Sequence, residues 1–301
     1  MTAATIKRDE LNKRLAGGGV TLIDVLPGEY FEEKHIAGAR NACVYEVTFL
    51  DQVRAITTDL SREIVVYGSS SRSRASAVAA EKLVNAGYRA VSDYAGGLEE
   101  WEAEGLPVEA QPDKQVPVPA MADGTYTADA GKSSVGWTGR NINGRHYGTI
   151  SISSGTLSVR GGNVIAGQVV VDMATIRNLD LADDNWNRLL IRHLKSDDFF
   201  DVAHHPFATF ELQSASPIPD ATPGTSNYHV SGIVTIKGTG NRIEFPALMA
   251  PHADGGVTAQ ATIDIDRTRW GVVYGSGKLF EKLGMHLVND IITLELQLVF
   301  G

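Results

Sequence analysis

The feature that most constrains this chain is a change in the spacing of its apolar residues near residue 124. In residues 257–266 and 290–300, apolar and polar side chains alternate one by one. This period of two is typical of a β-strand with one apolar face and one solvated face. Similar runs occur near residues 135–139, 149–160, 164–173, 207–213, 228–236 and 243–249. About eight such strands are enough to close an up-and-down antiparallel β-barrel, which leaves no free sheet edge.

Two segments interrupt the alternation and are predicted to be helical. Residues 184–196 place Trp186, Leu189, Leu190 and His193 at helical spacing. A shorter helical segment is predicted near residues 278–283.

The first part of the chain has a different pattern, in which short apolar runs alternate with helical stretches. TLIDV (21–25) and EIVVY (63–67) are predicted to be buried parallel strands. Residues 72–86 predict a helix with Ala75, Val78, Ala79 and Leu83 on one face, ending at Gly87. The pattern indicates a small α/β domain with a parallel sheet.

A polar, proline-rich stretch, AQPDKQVPVPAMA, separates the two patterns and is predicted to be an extended linker. The sequence therefore predicts two domains, residues 1–110 and 123–301, joined by a linker at 111–122. Two domains are also the natural expectation for a chain of 301 residues.

Charge and cysteine content narrow the functional class. The net charge is −9 and no run of basic residues follows the chain, which argues against a nucleic-acid partner. A single cysteine, Cys43, cannot form an internal disulfide, and residues 1–15 lack the apolar core of a secretory signal. No apolar run is long enough for a transmembrane segment. We expect a cytoplasmic protein. A homodimer is compatible with the sequence, which does not identify any other protein partner.

Two motifs, FEEKHIAGARNA (31–42) and GGLEEW (96–101), follow the LIDV run in an order that resembles the rhodanese domain. The resemblance covers about residues 5–109. It implies a parallel sheet flanked by helices, and a sulfurtransferase that carries a persulfide on a cysteine in the loop after the fourth strand. Here that loop is GSSSRSRAS (68–76), and Gly68 stands where the nucleophile is expected.

The loop is suited to hold an anion, because it leads into a helix whose first N–H groups carry partial positive charge. The candidate anion site comprises Gly68, Ser69, Ser70, Ser71, Arg72, Ser73 and Arg74. Sulfur transfer needs a thiolate, and no histidine with a carboxylate partner lies nearby in sequence to activate a serine. The single cysteine, Cys43, is expected to behave as a small, buried apolar residue. We therefore predict no catalytic residue in this domain.

The second domain resembles the YceI-like polyisoprenoid-binding family over about residues 124–301. The resemblance is carried by HLKSDDFFDVAHHPFATF (193–210), VSGIVTIKGTGNRIEFP (230–246) and DRTRWG (266–271). It implies a lipocalin-like barrel around an isoprenoid chain, such as a polyprenyl phosphate or a quinone tail, with no other cofactor. The chain departs from the family at His205, where an aromatic residue is common, and in lacking the signal sequence of the exported members.

The alternation itself predicts which side chains point into the barrel. A barrel of this size either fills its interior with side chains or keeps room for one ligand. Interleaved glycines, Gly139, Gly148, Gly167 and Gly232, are expected to leave inward space. The candidate lipid-binding residues are Val135, Trp137, Ile150, Ile152, Val169, Val171, Phe199, Phe200, Phe210, Leu212, Val234, Phe245, Leu294 and Leu296.

Three further groups of residues are candidate sites. Phe199 and Phe200 are expected to plug the barrel mouth, held by the preceding helix. His193, Asp201, His204 and His205 carry ligand-type atoms, but adjacent histidines on an extended segment point in opposite directions, so no metal site is predicted. Arg267 lies either in a solvated turn or at the mouth, where its guanidinium would meet an oxygen-rich head group.

Two functions remain open on the sequence. The favoured one is a cytoplasmic carrier or sensor of an isoprenoid lipid, with the inactive rhodanese-like domain as an anion or docking site. The alternative is a sulfurtransferase-type enzyme in which the barrel is a specificity module. The missing loop cysteine weighs against the enzyme.

Overall fold

The computed structural model describes residues 3–111, 113, 120–252 and 254–301. The chain divides into two compact units between residues 118 and 119. This point falls within the linker predicted at 111–122, most of which lies outside the described residues. The domain boundaries at 110 and 123 therefore stay predictions.

The N-terminal unit alternates strands and helices. Five strands form a parallel sheet in the order β1-β6-β5-β2-β4, and β3 pairs with β7 in a separate antiparallel ribbon. This confirms the predicted α/β class. The elements are β1 (Ala4–Thr5), α1 (Arg8–Gly17), β2 (Val20–Asp24), α2 (Gly28–Glu33), β3 (Lys34–Ile36), β4 (Arg40–Asn41), α3 (Phe49–Ile56), β5 (Glu63–Tyr67), α4 (Ala75–Asn85), β6 (Ala90–Tyr94), α5 (Gly97–Ala103) and β7 (Val108–Ala110).

The core of this unit forms around β5, which is apolar on both faces because helices cover both sides of the sheet. Helix α4 packs Ala75, Ala79 and Leu83 inward, as predicted, and ends before Gly87, whose φ is +98°. The prediction that Val78 shares this face is wrong. The inward stripe continues through Ala80, so Val78 points to solvent.

The C-terminal unit is an antiparallel barrel with one helix. Its elements are β8 (Gly124–Thr127), β9 (Ser134–Asn141), β10 (Gly144–Arg160), β11 (Asn163–Asn178), α6 (Asp184–Lys195), β12 (Phe207–Pro217), β13 (Tyr228–Ile236), β14 (Thr239–Pro251), β15 (Val257–Asp266) and β16 (Ile291–Phe300). Strands β9 to β16 each pair with the next in sequence or close the ring, so eight strands form a closed barrel. This confirms the predicted fold class.

Closure depends on two long, irregular strands. The first half of β10 pairs with β9, and the second half pairs with the short β8, which fills the gap that the end of β9 would leave. Register shifts at Thr149/Ser151 and Ile152/Ser154 mark bulges between β10 and β11. Such bulges increase local twist and help a sheet to close on itself.

The helix predicted near residues 278–283 is wrong. This segment consists of turns, followed by a short 3₁₀ turn at Gly284–His286. Lys282 has a φ of +60°, which the interior of a right-handed helix does not allow. The segment belongs to an irregular connection, residues 267–290, between β15 and β16.

One end of the barrel carries the two longest connections, residues 179–206 and 267–290, and is called the mouth below. It is formed by the β9–β10 turn, residues 179–206 with α6, the β13–β14 turn, and residues 267–290. Asp183 caps α6 by accepting hydrogen bonds from the N–H groups of Asn185 and Trp186. Among the described residues, no helix has both the length and the apolar character needed to cross a membrane.

The packing around Gly232 gives a testable consequence. A Cβ atom there would lie 2.3 Å from the Phe210 ring and 2.6 Å from the Glu211 carbonyl oxygen. Gly232→Ala is therefore expected to destabilise the barrel by about 1–3 kcal/mol, as other overpacked cores do. Gly124→Ala is the control, because that glycine faces open space. Urea unfolding should separate the two variants, and equal free energies of unfolding would contradict the packing argument.

Candidate functional site

An apolar cavity of about 310 Å³ occupies the barrel interior. Every candidate lipid-binding residue except Ile152 lines it, so the structure brings together side chains from strands far apart in sequence. Ile152 is buried in the packed core instead, next to the bulge in β10. The residues that line the cavity are Val135, Trp137, Ile150, Val169, Val171, Phe199, Phe200, Phe210, Leu212, Val234, Phe245, Leu294 and Leu296.

Small inward side chains account for the open volume. Of the four glycines expected to provide it, Gly139 and Gly167 line the cavity. The other two do not. A Cβ on Gly148 would lie 1.7 Å from the Arg177 carbonyl oxygen, so that glycine allows two strands to approach, and Gly232 backs onto the Phe210 ring. Alanines at inward positions provide space that the sequence analysis overlooked: Ala208, Ala247, Ala259 and Ala261.

The Phe199–Phe200 pair lies at the mouth, where a plug was predicted. The turn after α6 holds it, with Val202 N–H donating to Lys195 and Asp201 N–H donating to Ser196. The Phe199 ring is buried, with its centroid 5.0 Å from His193 and 5.4 Å from Tyr274. Both phenylalanines line the cavity, so they form its roof at the mouth.

The titratable side chains that line the cavity cluster at the mouth: Arg140, His146, His193, Arg267 and Tyr274. His193 meets the Tyr274 ring edge-on at 4.5 Å, and His146 shares a 2.8 Å hydrogen bond with Asp180. Burial opposes the ionisation of Asp180, but hydrogen bonds from Tyr147, His146 and Asn178 outweigh it and lower its pKa. The sequence analysis identified His193 as a ligand-type residue but missed Tyr274 and His146, which lie on segments far apart in the chain.

The histidines weighed for a metal site have separate partners. His193 Nε2 lies 3.6 Å from Asp198, and His204 Nδ1 lies 2.8 Å from Asp201. The hydrogen bond to Asp201 raises the pKa of exposed His204. His205 packs against Gly238.

Arg267 lines the cavity but is not at a solvated turn, because only 2% of the residue is exposed. Its guanidinium donates hydrogen bonds to the carbonyls of Asn289, Val272 and Val288 and lies 3.5 Å from Asp290. Burial lowers its pKa, and Asp290 opposes this shift. The solvated-turn interpretation is therefore wrong. The head-group role stays a prediction, although most of the guanidinium donors already have protein partners.

In the N-terminal unit, the Gly68–Arg74 loop connects β5 to α4. The carbonyls of Gly68 and Ser69 accept hydrogen bonds from Leu98 and Glu99 at the start of α5. Gly97 makes this approach possible, because its φ is +66° and a Cβ there would lie 2.6 Å from the Gly68 oxygen. Arg72 is exposed and pairs with Glu99 at 2.9 Å. The loop is thus shaped by α5 as well as by its own residues.

Cys43 lies just beyond β4, outside this loop. It is buried, and its N–H donates to the Gln52 side chain. This buried position agrees with the prediction that Cys43 is a small apolar residue of the core.

Comparison with known proteins matches two family profiles. The profile of the YceI-like domain matches residues 126–300, and that of the rhodanese-like domain matches residues 7–104. The HTH-type transcriptional regulator Rv0324 of Mycobacterium tuberculosis is 36% identical over 104 residues, which are 35% of this chain and 44% of the regulator. The chain thus spans less than half of that relative's length.

Two solved structures are similar to part of this chain. BcnA of Burkholderia cenocepacia is 23% identical and matches 57% of this chain and 98% of its own, with a TM-score of 0.45. A polyisoprenoid binding domain from Saccharophagus degradans, implicated in plant cell wall breakdown, is 14% identical. It matches 58% of this chain and 97% of its own, with a TM-score of 0.42.

The loop geometry predicts the behaviour of a restored thiol. A Cβ on Gly68 would lie 3.4 Å from Ala75 and 3.8 Å from the Ser76 N–H, so Gly68→Cys fits without strain. The start of α4 favours a thiolate there. In a Cys43→Ser background, the new thiol is expected to titrate below the ordinary value of about 8.5. Thiolate absorbance against pH measures this, with exposed Ser153→Cys as the matched control.

Sulfur transfer from thiosulfate to cyanide provides the second readout for this prediction. The unmodified chain is expected to give only background turnover, with or without Cys43→Ser. Robust turnover that disappears in the Cys43→Ser variant would contradict the inactive loop. An unshifted Gly68→Cys thiol would contradict the electrostatic argument.

The buried guanidinium predicts a stability effect that is independent of ligand. Arg267→Ala removes the donor to three carbonyls and one of the two ion partners of Asp290, and breaking a buried pair typically costs about 3–5 kcal/mol. Exposed Arg269, which donates to the Arg242 carbonyl, is the control and its alanine variant is expected to remain near the parent. Thermal unfolding with and without lipid measures both. Unchanged stability in the Arg267→Ala variant would mean that these hydrogen bonds do not stabilise the fold, and it would contradict this prediction.

Proposed function

Because the chain belongs to the YceI-like family, we propose that its barrel binds a long apolar lipid of isoprenoid type and carries or senses it in the cytoplasm. The observation that supports this most directly is the apolar cavity inside the closed barrel. Its volume of about 310 Å³ is at the lower end of the range found for ligand pockets, roughly 300–1,000 Å³. The isoprenoid chemistry is what the family resemblance implies.

The energetics of such a ligand depend on its chain. Each CH₂ group that leaves water contributes roughly 0.8 kcal/mol before ordering costs, so a prenyl tail needs few polar contacts. The cavity wall provides few of them away from the mouth. A polar head group, either a phosphate or a quinone ring, would therefore lie near His146, His193 and Tyr274 at the mouth.

The role that we propose for the rhodanese-like domain is non-catalytic. Gly68 occupies the position of the nucleophile, and the chain's single cysteine is buried elsewhere. The loop and the start of α4 remain available as an anion or docking site. The single cysteine also supports the cytoplasmic setting, because it cannot form an internal disulfide.

A prenyl chain-length series tests the proposal on the full chain. Affinity for prenylated quinones and polyprenyl phosphates is expected to rise by about tenfold or more per prenyl unit, because roughly five carbons leave water with each unit. The rise should stop when the cavity is full. Intrinsic tryptophan fluorescence can follow binding, since Trp137 lines the cavity.

Gly167→Leu is the matching variant, because its Cβ would lie at ordinary contact distance, 3.4 Å from Leu157 and 3.6 Å from Leu212, and the rest of the side chain would enter the cavity. It should shorten the preferred chain, whereas Gly124→Leu on the outer surface should not. Thermal melting must accompany both variants, since overpacking costs about 1–3 kcal/mol. A folded protein without any dependence on chain length would refute the carrier function.

A further inference from the structure

The exposed apolar side chains of the barrel unit are concentrated at one end. Eleven large apolar residues are exposed among the described residues of this unit, and ten of them lie at or next to the mouth. The exception, Ile165, lies near the opposite end, in β11. The ten residues are Ile142, Tyr147, Leu179, Trp186, Leu189, Phe207, Leu279, Phe280, Met285 and Ile291. Scattered apolar residues need no explanation, but a concentration around a cavity opening marks an interaction surface.

Helix α6 contributes the largest of these side chains. Leu190 and Leu194 contact the barrel, while Trp186, one turn before Leu190, and Leu189 are exposed. Arg188 and Arg192 flank them and are exposed as well. A helix with tryptophan and leucine beside arginines is typical of helices that lie in a membrane interface.

The irregular connection at 267–290 presents a second group on the same end. Leu279, Phe280 and Met285 are exposed there, beside exposed Lys282. The connection is held in place from beneath by buried Arg267, so these side chains are displayed on a fixed base. The β9–β10 turn adds Ile142, with exposed Arg145 nearby.

Charge at the mouth differs from that of the whole chain. The mouth and the strand ends that border it, residues 140–147, 177–206, 237–242 and 266–290, hold twelve Lys and Arg against nine Asp and Glu, whereas the chain holds 27 against 36. Charged groups of both signs are engaged within the protein: Asp180 with His146, Asp266 with Lys278, and buried Arg267 with Asp290. This end of the barrel therefore carries a small excess of basic groups on an acidic protein.

From this distribution we propose that the mouth docks onto a bilayer that contains anionic phospholipid, and that ligand enters and leaves the cavity there. The inference rests on the proposed function, because only a lipid ligand has to pass between a bilayer and the barrel. Apolar side chains on three separate segments would enter the interface, and the arginines and lysines would meet the head groups. Water-insoluble ligand would then reach Phe199 and Phe200 without crossing solvent.

Vesicle binding of the full chain tests the surface. We expect co-sedimentation with phosphatidylglycerol–phosphatidylcholine vesicles, weaker binding to phosphatidylcholine alone, and weakening by salt. Trp186 should report contact by a blue shift in fluorescence, since Trp101 and Trp270 are already buried. The double variant Trp186→Ser, Leu189→Ser is expected to lose at least about tenfold in vesicle affinity, because each side chain contributes apolar area to the interface.

Ile165→Ser is the matched control, because it removes an exposed apolar side chain at the other end of the barrel. It should bind vesicles like the parent. Leu279→Ser with Phe280→Ser provides a second variant on a different segment, in case changes in α6 impair folding. Loss of vesicle affinity in both mouth variants but not in the control supports the proposal. Unchanged vesicle affinity in the folded mouth variants, or an equal loss in the control, would overturn it.

Ligand binding measured without vesicles separates this inference from the proposed function. With prenylated quinone delivered from cyclodextrin, the mouth variants should keep the parent's affinity and lose only transfer from vesicles. A parent that binds vesicles but no quinone would refute the carrier function and leave the docking surface in place. A concentration-dependent dimer that the mouth variants abolish, without vesicle binding by the parent, would show that a second copy covers this surface and would overturn the proposal.

Discussion

The pairing of β16 with β9 is the interaction on which the C-terminal unit depends. Leu294 lies opposite Trp137 and Leu296 lies opposite Val135, so the last strand of the chain completes the ring that the first full strand opens. Once the ring is closed, each strand must point alternate side chains inward, and the size of those side chains decides whether the interior is filled. Alanine and glycine on several strands leave the cavity, while Phe210, Phe245 and Trp137 keep its walls closed.

The mouth depends on a different interaction, because residues 267–290 form no strand and their pairing with the barrel is one isolated β-bridge, from Val288 to Asn141. Arg267 supplements that bridge with hydrogen bonds to three carbonyls, and Lys278 adds ion pairs to Asp266 and Asp290. The Arg267 guanidinium also lies 5.8 Å from the centre of the Phe199 ring. One buried cation therefore contacts both the long connection and the roof of the cavity, and the two are expected to be disturbed together when it is removed.

Local periodicity was enough to predict most of the fold. The alternation placed the bounds of β13 and β15 where the structure has them, and the run EIVVY coincides with β5. It failed where conformation depends on contacts between distant segments. The residues at 278–283 do not reveal the positive φ of Lys282, which prevents a helix there. The space around Gly232 is likewise determined by Phe210 on the neighbouring strand. The inward alanines can be read from the sequence, but the cavity volume that they leave depends on how the closed barrel brings the strands together.

The loop after β5 shows the same dependence in the other domain. The sequence predicts an anion-binding shape for a loop that contains no cysteine, but it does not say what maintains that shape. In the structure, the loop carbonyls accept hydrogen bonds from the start of α5, and Gly97 is the residue that permits this contact. Because these contacts involve backbone atoms of Gly68 and Ser69, they do not require a cysteine side chain. The loop can therefore keep its geometry without a cysteine at position 68, which is what the anion or docking role that we propose for it requires.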